Sequence, residues 1–394
     1  MADVFQKAFQ YTAAKDAIAS GYYPYFIALD GHEGAEAVYH GRRLLMFGSN
    51  NYLGLTTHPK VREAALRAIE TYGTSCTGSR FLNGTLLMHE QLENELAEWT
   101  GKPAALVFST GYQANLGAIS ALLARRDYAI LDKDDHASIV DGVKLSFGEM
   151  KRFRHNDMQD LARALASLPE EAGKLVVVDG LFSMEGDIAP LPEMLPVIKQ
   201  YGARLLVDDA HAMGVLGGGR GTAAHFGVTD EVDLIMSTFS KSFASLGGFI
   251  AGDPDVISFI KHTARSMIFS ASIPPSNAAA ALAALDIMRR EPERVQQVNA
   301  NAAYMRSELQ RLGFDTGNSC TPVVPILMGE DQLCFAVWRE LFDAGLFVNP
   351  VISPAVPQGR ALLRTSYMAT HTKEHMDRAL TIYQQVGKAF GLIQ

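Results

Sequence analysis

The feature that most constrains this chain is a series of short, nearly continuous apolar runs, each broken off by a polar or glycine-rich turn. They are Ala105–Ser109, Tyr128–Asp132, Lys174–Asp179, Arg204–Asp208, Asp233–Thr238 and Gly248–Ala251. Runs of this length without polar alternation are strands covered on both faces, as in parallel sheets. Helical stretches such as Gln113–Arg125 and Leu191–Tyr201 lie between most of them. Alternation of strand and helix predicts a mostly parallel sheet with right-handed crossovers.

Sheets of this kind place ligands at the carboxyl ends of their strands. Five runs here end in clusters of chemically capable residues: STGY, DKDDH, DGLFSMEG, DDAH and TFSK. Turns are polar in any protein, but these residue types are particular enough to predict one shared site at that edge.

Beyond the last run the pattern changes. A helix around Asn277–Arg290 leads to separate strands near Pro322–Leu327, Leu346–Asn349 and Leu362–Ser366. A last helix is expected from Thr372, a residue suited to capping, to about Phe390. At the other end, AEAVYHGRRLLMF predicts a β-hairpin turning at His40-Gly41. The expected organisation is an N-terminal arm and hairpin over residues 1–50, a large domain over 51–285 and a small α+β domain over 286–394. A length of 394 residues suits such a division.

Charge and cysteine content narrow the function. A formal net charge of -8 argues against a nucleic-acid partner, which needs a basic footprint. Cys76, Cys320 and Cys334 form neither a disulfide framework nor a CxxC pair, which fits a reducing, cytoplasmic setting. The first residues lack the apolar core of a secretory signal, and no apolar run is long enough to predict a membrane span.

Lys241 lies in TFSKSFASLGGF with no second charge within six residues on either side. Small and hydroxylated neighbours suit a buried amine that must be neutral to react; a surface lysine in a loop is the plainer alternative. Thr238 and Ser240 could hydrogen-bond a phosphate. Asp208, ending the run LLVD, could pair with a protonated pyridine nitrogen, or it could cap a turn or bind a metal. No second His or Cys cluster supports a metal. His211 follows three residues later and could contact a phenolic oxygen on the ring. His136, in DKDDHASIVDG, could stack on such a ring, although a lone histidine is usually structural. Gly111 and Tyr112 follow a strand and open a helix, where free N–H groups bind anions. Arg364, between apolar residues in ALLRTSYMATHT, needs a partner: a substrate carboxylate or an internal ion pair. The GGGRG stretch at Gly217–Gly221 lacks the strand and spacing of a dinucleotide site, and no GxxxxGK[ST] or GxSxG element occurs.

FSTGYQANLG, DHASIVDG, VDDAHAMG and TFSKSFASLGGF together resemble the α-oxoamine synthase family, fold-type I enzymes that use pyridoxal 5'-phosphate. The resemblance runs from NNYLGL to the final helix and implies a mostly parallel sheet between helices with a smaller C-terminal α+β domain. It implies that Lys241 holds the cofactor and shuttles the substrate α-proton. His136 would stack on the ring, Asp208 would pair with its nitrogen and His211 with its oxygen. Gly111, Tyr112, Ser183, Thr238 and Ser240 would complete the cofactor site, with Ser270 reaching the phosphate across a homodimer interface. Arg364 and Asn51 would bind the amino acid. Many relatives read VDEAH where this chain has VDDAH, a change beside Asp208 and not on it.

The implied reaction condenses an amino acid with an acyl-CoA, releasing CoA and carbon dioxide. CTGSRFLNGT, FRHND, FSMEGDIAPL and FSASIPPS are similar to members that join serine to a long-chain acyl-CoA, a substrate for which peripheral membrane contact is an expectation. The tail AVPQGRALLRTSYMATHT and HNDMQDL are similar to members that use glycine and acetyl-CoA. An alanine–pimeloyl or glycine–succinyl synthase, another class of pyridoxal-phosphate enzyme, and a non-catalytic partner subunit stand as alternatives.

Overall fold

The computed structural model describes residues 3–394. Its centre is a seven-stranded sheet. The strands run in the order Ala104–Phe108, Gly248–Gly252, Leu234–Thr238, Arg204–Asp208, Lys174–Asp179, Tyr128–Asp132 and Glu149–Phe153. Side chains alternate cleanly between its faces. Val107, Ile130, Val176 and Val207 join one core with Leu92, Leu96, Leu161 and Ala281. Leu106, Leu131, Val177 and Leu206 join another with Ala114, Ala118, Ile139 and Ile257. Both faces are thus buried under helices, which is why the strands read as unbroken apolar runs.

Two strands differ from expectation. Gly248–Gly252 is antiparallel to both of its neighbours. Only residues 239–247 separate it from the preceding strand Leu234–Thr238, too few for a helical crossover. Glu149–Phe153 had no signature in the sequence. It is an edge strand with mostly exposed residues, and EMKRF carries the charges that keep such an edge from pairing further.

The hairpin forms as expected, with Glu36–Tyr39 against Arg42–Met46. His40 and Gly41 both have positive φ, 47° and 73°, as a two-residue turn matched to strand twist requires. The far strand of the hairpin packs with the C-terminal part: Leu44, Leu45 and Phe47 share a core with Met305, Trp338, Leu341, Leu363 and Tyr383. The segment expected as one strand near Leu346–Asn349 divides at Val348. Leu346–Phe347 pairs in parallel with Arg42–Met46, and Asn349–Val351 pairs with Ala361–Ser366. Val323–Gly329 completes that second, three-stranded sheet. The last helix, Lys373–Ala389, is capped by Thr372, whose hydroxyl accepts the His375 N–H at 3.2 Å.

Candidate active site

All five polar clusters meet at the carboxyl edge of the central sheet. They surround a cavity of about 240 Å³ lined by Gly111, Tyr112, His136, Asp179, Asp208 and Lys241, among others. Thr238, Ser240 and His211 also line it.

The helix Gly111–Leu122 starts against this cavity. Thr110 caps it, its hydroxyl accepting the Gln113 N–H at 3.1 Å and its carbonyl the Ala114 N–H at 3.1 Å. The N–H groups of Gly111 and Tyr112 therefore have no partner within the helix and lie where an anion is favoured. Glycine is required here by space: a Cβ on Gly111 would stand 2.7 Å from Thr238 Cβ. Thr238 and Ser240 form the facing wall, their hydroxyls 2.9 Å apart.

Asp208 is buried, 3% exposed. Asn115 donates to its Oδ2 at 2.7 Å, and the Ala210 N–H donates to Oδ1 at 2.9 Å. Asn115 comes from the same helix as Gly111, one turn further on, so one element serves both ends of the site. Asp179, the register partner of Asp208 on the next strand, also faces the cavity. Burial and the nearby Asp208 charge raise its pKa well above the carboxylate range.

The Lys241 side-chain amine takes part in no hydrogen bond or ion pair among the described residues. Burial lowers its pKa, Asp208 and Asp179 oppose that, and the balance lies at about 8. A substantial fraction of the amine is then neutral and nucleophilic near physiological pH. His136 accepts the Ser138 N–H on Nδ1 at 3.2 Å. Burial, tempered by Asp208 and aided by Lys241, lowers its pKa, so the ring is neutral. His211 is held well below its ordinary pKa by burial and by the cations Lys241 and Arg364. Its Nδ1 lies 2.7 Å from the Tyr52 hydroxyl.

Arg364 sits on the middle strand of the small sheet, 5% exposed. Its Nε–H donates to the Ser183 carbonyl at 2.5 Å, Nη2 to Asn50 Oδ1 at 2.9 Å and Nη1 to Ser366 Oγ at 3.2 Å. All three acceptors are neutral, and no carboxylate pairs with it among the described residues. A buried guanidinium without a counter-ion is costly, by several kcal/mol.

Three residues expected in the site stand apart from the cavity wall. Ser183 contributes its carbonyl to Arg364. Ser270 accepts from Gln113 Nε2 at 2.8 Å, beside the start of the capped helix. Asn51 is engaged within its own loop, donating to Thr56 Oγ1 at 2.8 Å and accepting the Leu55 N–H at 3.0 Å; its neighbour Asn50 is the residue that reaches Arg364. Sequence reasoning missed Asn115, Asp179 and Tyr52. Spacing could have found the first two, since Asn115 lies four residues after Gly111 and Asp179 ends an apolar run as Asp208 does. Asp209, where many relatives carry glutamate, turns away from the cavity and accepts the Thr222 N–H at 2.9 Å.

The residues fit pyridoxal phosphate: an anion cradle, a buried carboxylate for the ring nitrogen and an unpaired amine share one small cavity. Comparison with known proteins agrees. The family model for aminotransferase class I and II matches residues 42–382. A serine palmitoyltransferase of Sphingobacterium spiritivorum is 53% identical over 92% of this chain and 91% of its own. The structure of a serine palmitoyltransferase from Sphingomonas wittichii superimposes with a TM-score of 0.96 at 40% identity, covering 100% of both chains. One from S. paucimobilis with bound PLP and myriocin gives a TM-score of 0.96 at 38% identity, again over 100% of both chains. The chain belongs to the aminotransferase class I and II family, within the α-oxoamine synthases, and is a pyridoxal-phosphate enzyme.

Proposed function

We propose that the protein condenses L-serine with a long-chain acyl-CoA, palmitoyl-CoA in particular, releasing CoA and carbon dioxide and forming 3-oxosphinganine, the first step of sphingolipid biosynthesis. The observation that carries the amino-acid half is Arg364, a buried cation with only neutral partners, within electrostatic reach of Lys241. A substrate carboxylate would supply the missing charge through two parallel hydrogen bonds. The whole-chain likeness to serine palmitoyltransferases supports the choice of serine and of a long acyl chain.

Bound pyridoxal phosphate supplies the electron sink that stabilises negative charge on the substrate Cα. The chain's own residues do the rest. The N–H groups of Gly111 and Tyr112 and the hydroxyls of Thr238 and Ser240 would hold the phosphate, and Asp208, fixed by Asn115, would keep a proton on the ring nitrogen. Neutral His136 would cover the ring and His211 would meet its phenolic oxygen. Lys241 would hold the cofactor and, once freed, could move the Cα proton, as its position and lowered pKa allow. Arg364 orients the amino acid by its carboxylate.

A homodimer with shared sites accords with the exposed apolar side chains of Phe81, Leu82 and Phe269, which are 56%, 77% and 77% accessible in the single chain. Ser270, next to Phe269, would then act across that interface. Three free cysteines accord with a cytoplasmic setting. No helix among the described residues is long and apolar enough to cross a membrane.

The deciding experiment measures free-CoA release as kcat/KM for acyl-CoAs from acetyl to stearoyl, with serine, glycine and alanine each saturating. Each buried methylene contributes about 0.8 kcal/mol, so a chain-binding channel gives a steep rise with length for serine. A maximum with glycine and acetyl-CoA would overturn the substrate assignment and leave the cofactor chemistry standing.

A further inference from the structure

Residues 180–189, between the strand Lys174–Asp179 and the helix Leu191–Gln200, carry two parts of the site. Leu181 lines the cavity, and the Ser183 carbonyl holds Arg364 Nε. Short backbone bonds shape the tip of this loop: the Phe182 N–H donates to the Asp187 carbonyl at 3.0 Å and the Gly186 N–H to the Phe182 carbonyl at 3.1 Å. Thr321 Oγ1 donates to the Gly186 carbonyl at 2.9 Å and Arg360 pairs with Glu185 at 3.3 Å, but the side-chain link from the far part of the loop to the central sheet comes from outside the site. His155 follows the edge strand, in the FRHND stretch. Its Nδ1 lies 3.0 Å from Asp132 Oδ1 and its Nε2 lies 2.7 Å from Asp187 Oδ2. The ring stands edge-on to Phe182, with centroids 4.4 Å apart.

Both ring nitrogens face carboxylate oxygens, so both must donate, and only the imidazolium can do that. Burial opposes the charge, but the hydrogen bonds to Asp132 and Asp187 outweigh it and push the pKa up to about 10. Asn156 repeats the connection: its backbone N–H donates to Asp132 Oδ2 at 2.9 Å and its amide to Asp187 Oδ2 at 3.0 Å. Asp132, Asp134 and His155 are close enough together to suggest a metal site. His155 Nε2 is also bonded to Asp187, outside that cluster, so the ring links two carboxylates from different segments as an ion-pair clamp.

We propose that His155 is a positioning residue for the amino-acid substrate. It joins Asp187 to Asp132, thereby sets the 181–188 loop, and so holds the Ser183 carbonyl where it aims Arg364 at the substrate carboxylate. The inference rests on the reading of Arg364 given above. His155 itself touches neither substrate nor cofactor; Phe182, Ser183 and Arg364 transmit its effect.

The test uses the loaded enzyme with His155→Gln, which keeps a hydrogen-bonding side chain but no charge. The expected result is a rise of about tenfold in KM for serine with kcat changed by less than about twofold, the mark of lost ground-state binding. Serine binding at equilibrium, followed in the visible spectrum, should weaken by the same factor. Amide exchange in residues 181–188 should quicken while that of Lys174–Asp179 does not. Asp187→Asn should give the same split and carries the test if His155→Gln does not fold. Unchanged serine affinity overturns the proposal, even if loop exchange quickens, because the clamp would then be structural only. Arg364→Lys separates the two ideas. If it leaves serine binding intact, the reading of Arg364 fails; if it weakens binding while His155→Gln does not, only the role of His155 fails.

Discussion

Asp179 and Asp208 end adjacent parallel strands as register partners, and both face the cavity. Two carboxylates so close cannot both ionise freely. Asp208 is supported by Asn115 and by the Ala210 N–H, while Asp179 is the one pushed toward its protonated form. Asp208→Asn should therefore reduce turnover by roughly 10²-fold or more, since it removes the charge that keeps the ring nitrogen protonated. Asp179→Asn removes the carboxyl whose pKa is raised by burial and by Asp208, the less supported charge of the two, and should cost less than about tenfold. Steady-state kinetics on both variants, with circular dichroism to confirm folding, checks the asymmetry. Equal losses would refute it.

Lys241 gives the cofactor-free protein a distinctive pH response. Its lowered pKa means that the neutral amine accumulates as pH rises through about 8, whereas an ordinary lysine requires pH near 10.5. Capture of added pyridoxal phosphate, followed by the visible absorbance that develops, should speed up through about pH 8 and level off above it. Because the Asp208 charge raises this pKa, Asp208→Asn should move the midpoint down. Lys241→Ala should develop no stable band at any pH and should not turn over.

Gly111→Ala tests the anion cradle by steric means alone. The added Cβ would lie 2.7 Å from Thr238 Cβ and 2.8 Å from its hydroxyl, a clash that backbone or Thr238 must relieve by moving. The phosphate affinity depends on both groups. Affinity for pyridoxal phosphate, measured by fluorescence, should fall by about tenfold or more, with far-UV circular dichroism unchanged. Wild-type affinity would show that the cradle lies elsewhere.

Losing Asn115 should echo the loss of Asp208 in milder form. Asn115→Ala removes the amide bonded to Asp208 Oδ2 and leaves a buried charge with fewer donors. A fall in kcat of about tenfold, with KM for serine little changed, is expected. Asn115→Asp should be worse than alanine, since it sets a second carboxylate against Asp208. The reverse order would show that Asn115 matters only for packing.

The large sheet was legible because both of its faces are covered, which forces Lys174–Asp179 and its neighbours to be apolar throughout. Glu149–Phe153 escaped notice because an edge strand faces different demands, solvent on one side and protection against further pairing. Lys241, Asp208, His136 and His211 stood out because reactive types closed apolar strands. Asn51 was expected to contact the amino acid, yet its side chain closes its own loop; adjacent asparagines in one turn look alike until the backbone decides which points inward. Asn115 and Tyr52 were hidden for a different reason. They act through Asp208 and His211, and nothing local marks a residue whose partner is distant in sequence.

The division of residues 346–351 at Val348 has a mechanical consequence. One short length of chain is stitched to the N-terminal hairpin on one side and to the strand bearing Arg364 on the other. Rotation of one sheet pulls on the other, because Val348 alone separates the two pairings and gives little slack to absorb a twist. Arg364 thus rides on a frame braced from the opposite end of the polypeptide, and any excursion it makes toward a substrate is either a swing of its own side chain or a movement of hairpin and small sheet together as one rigid body.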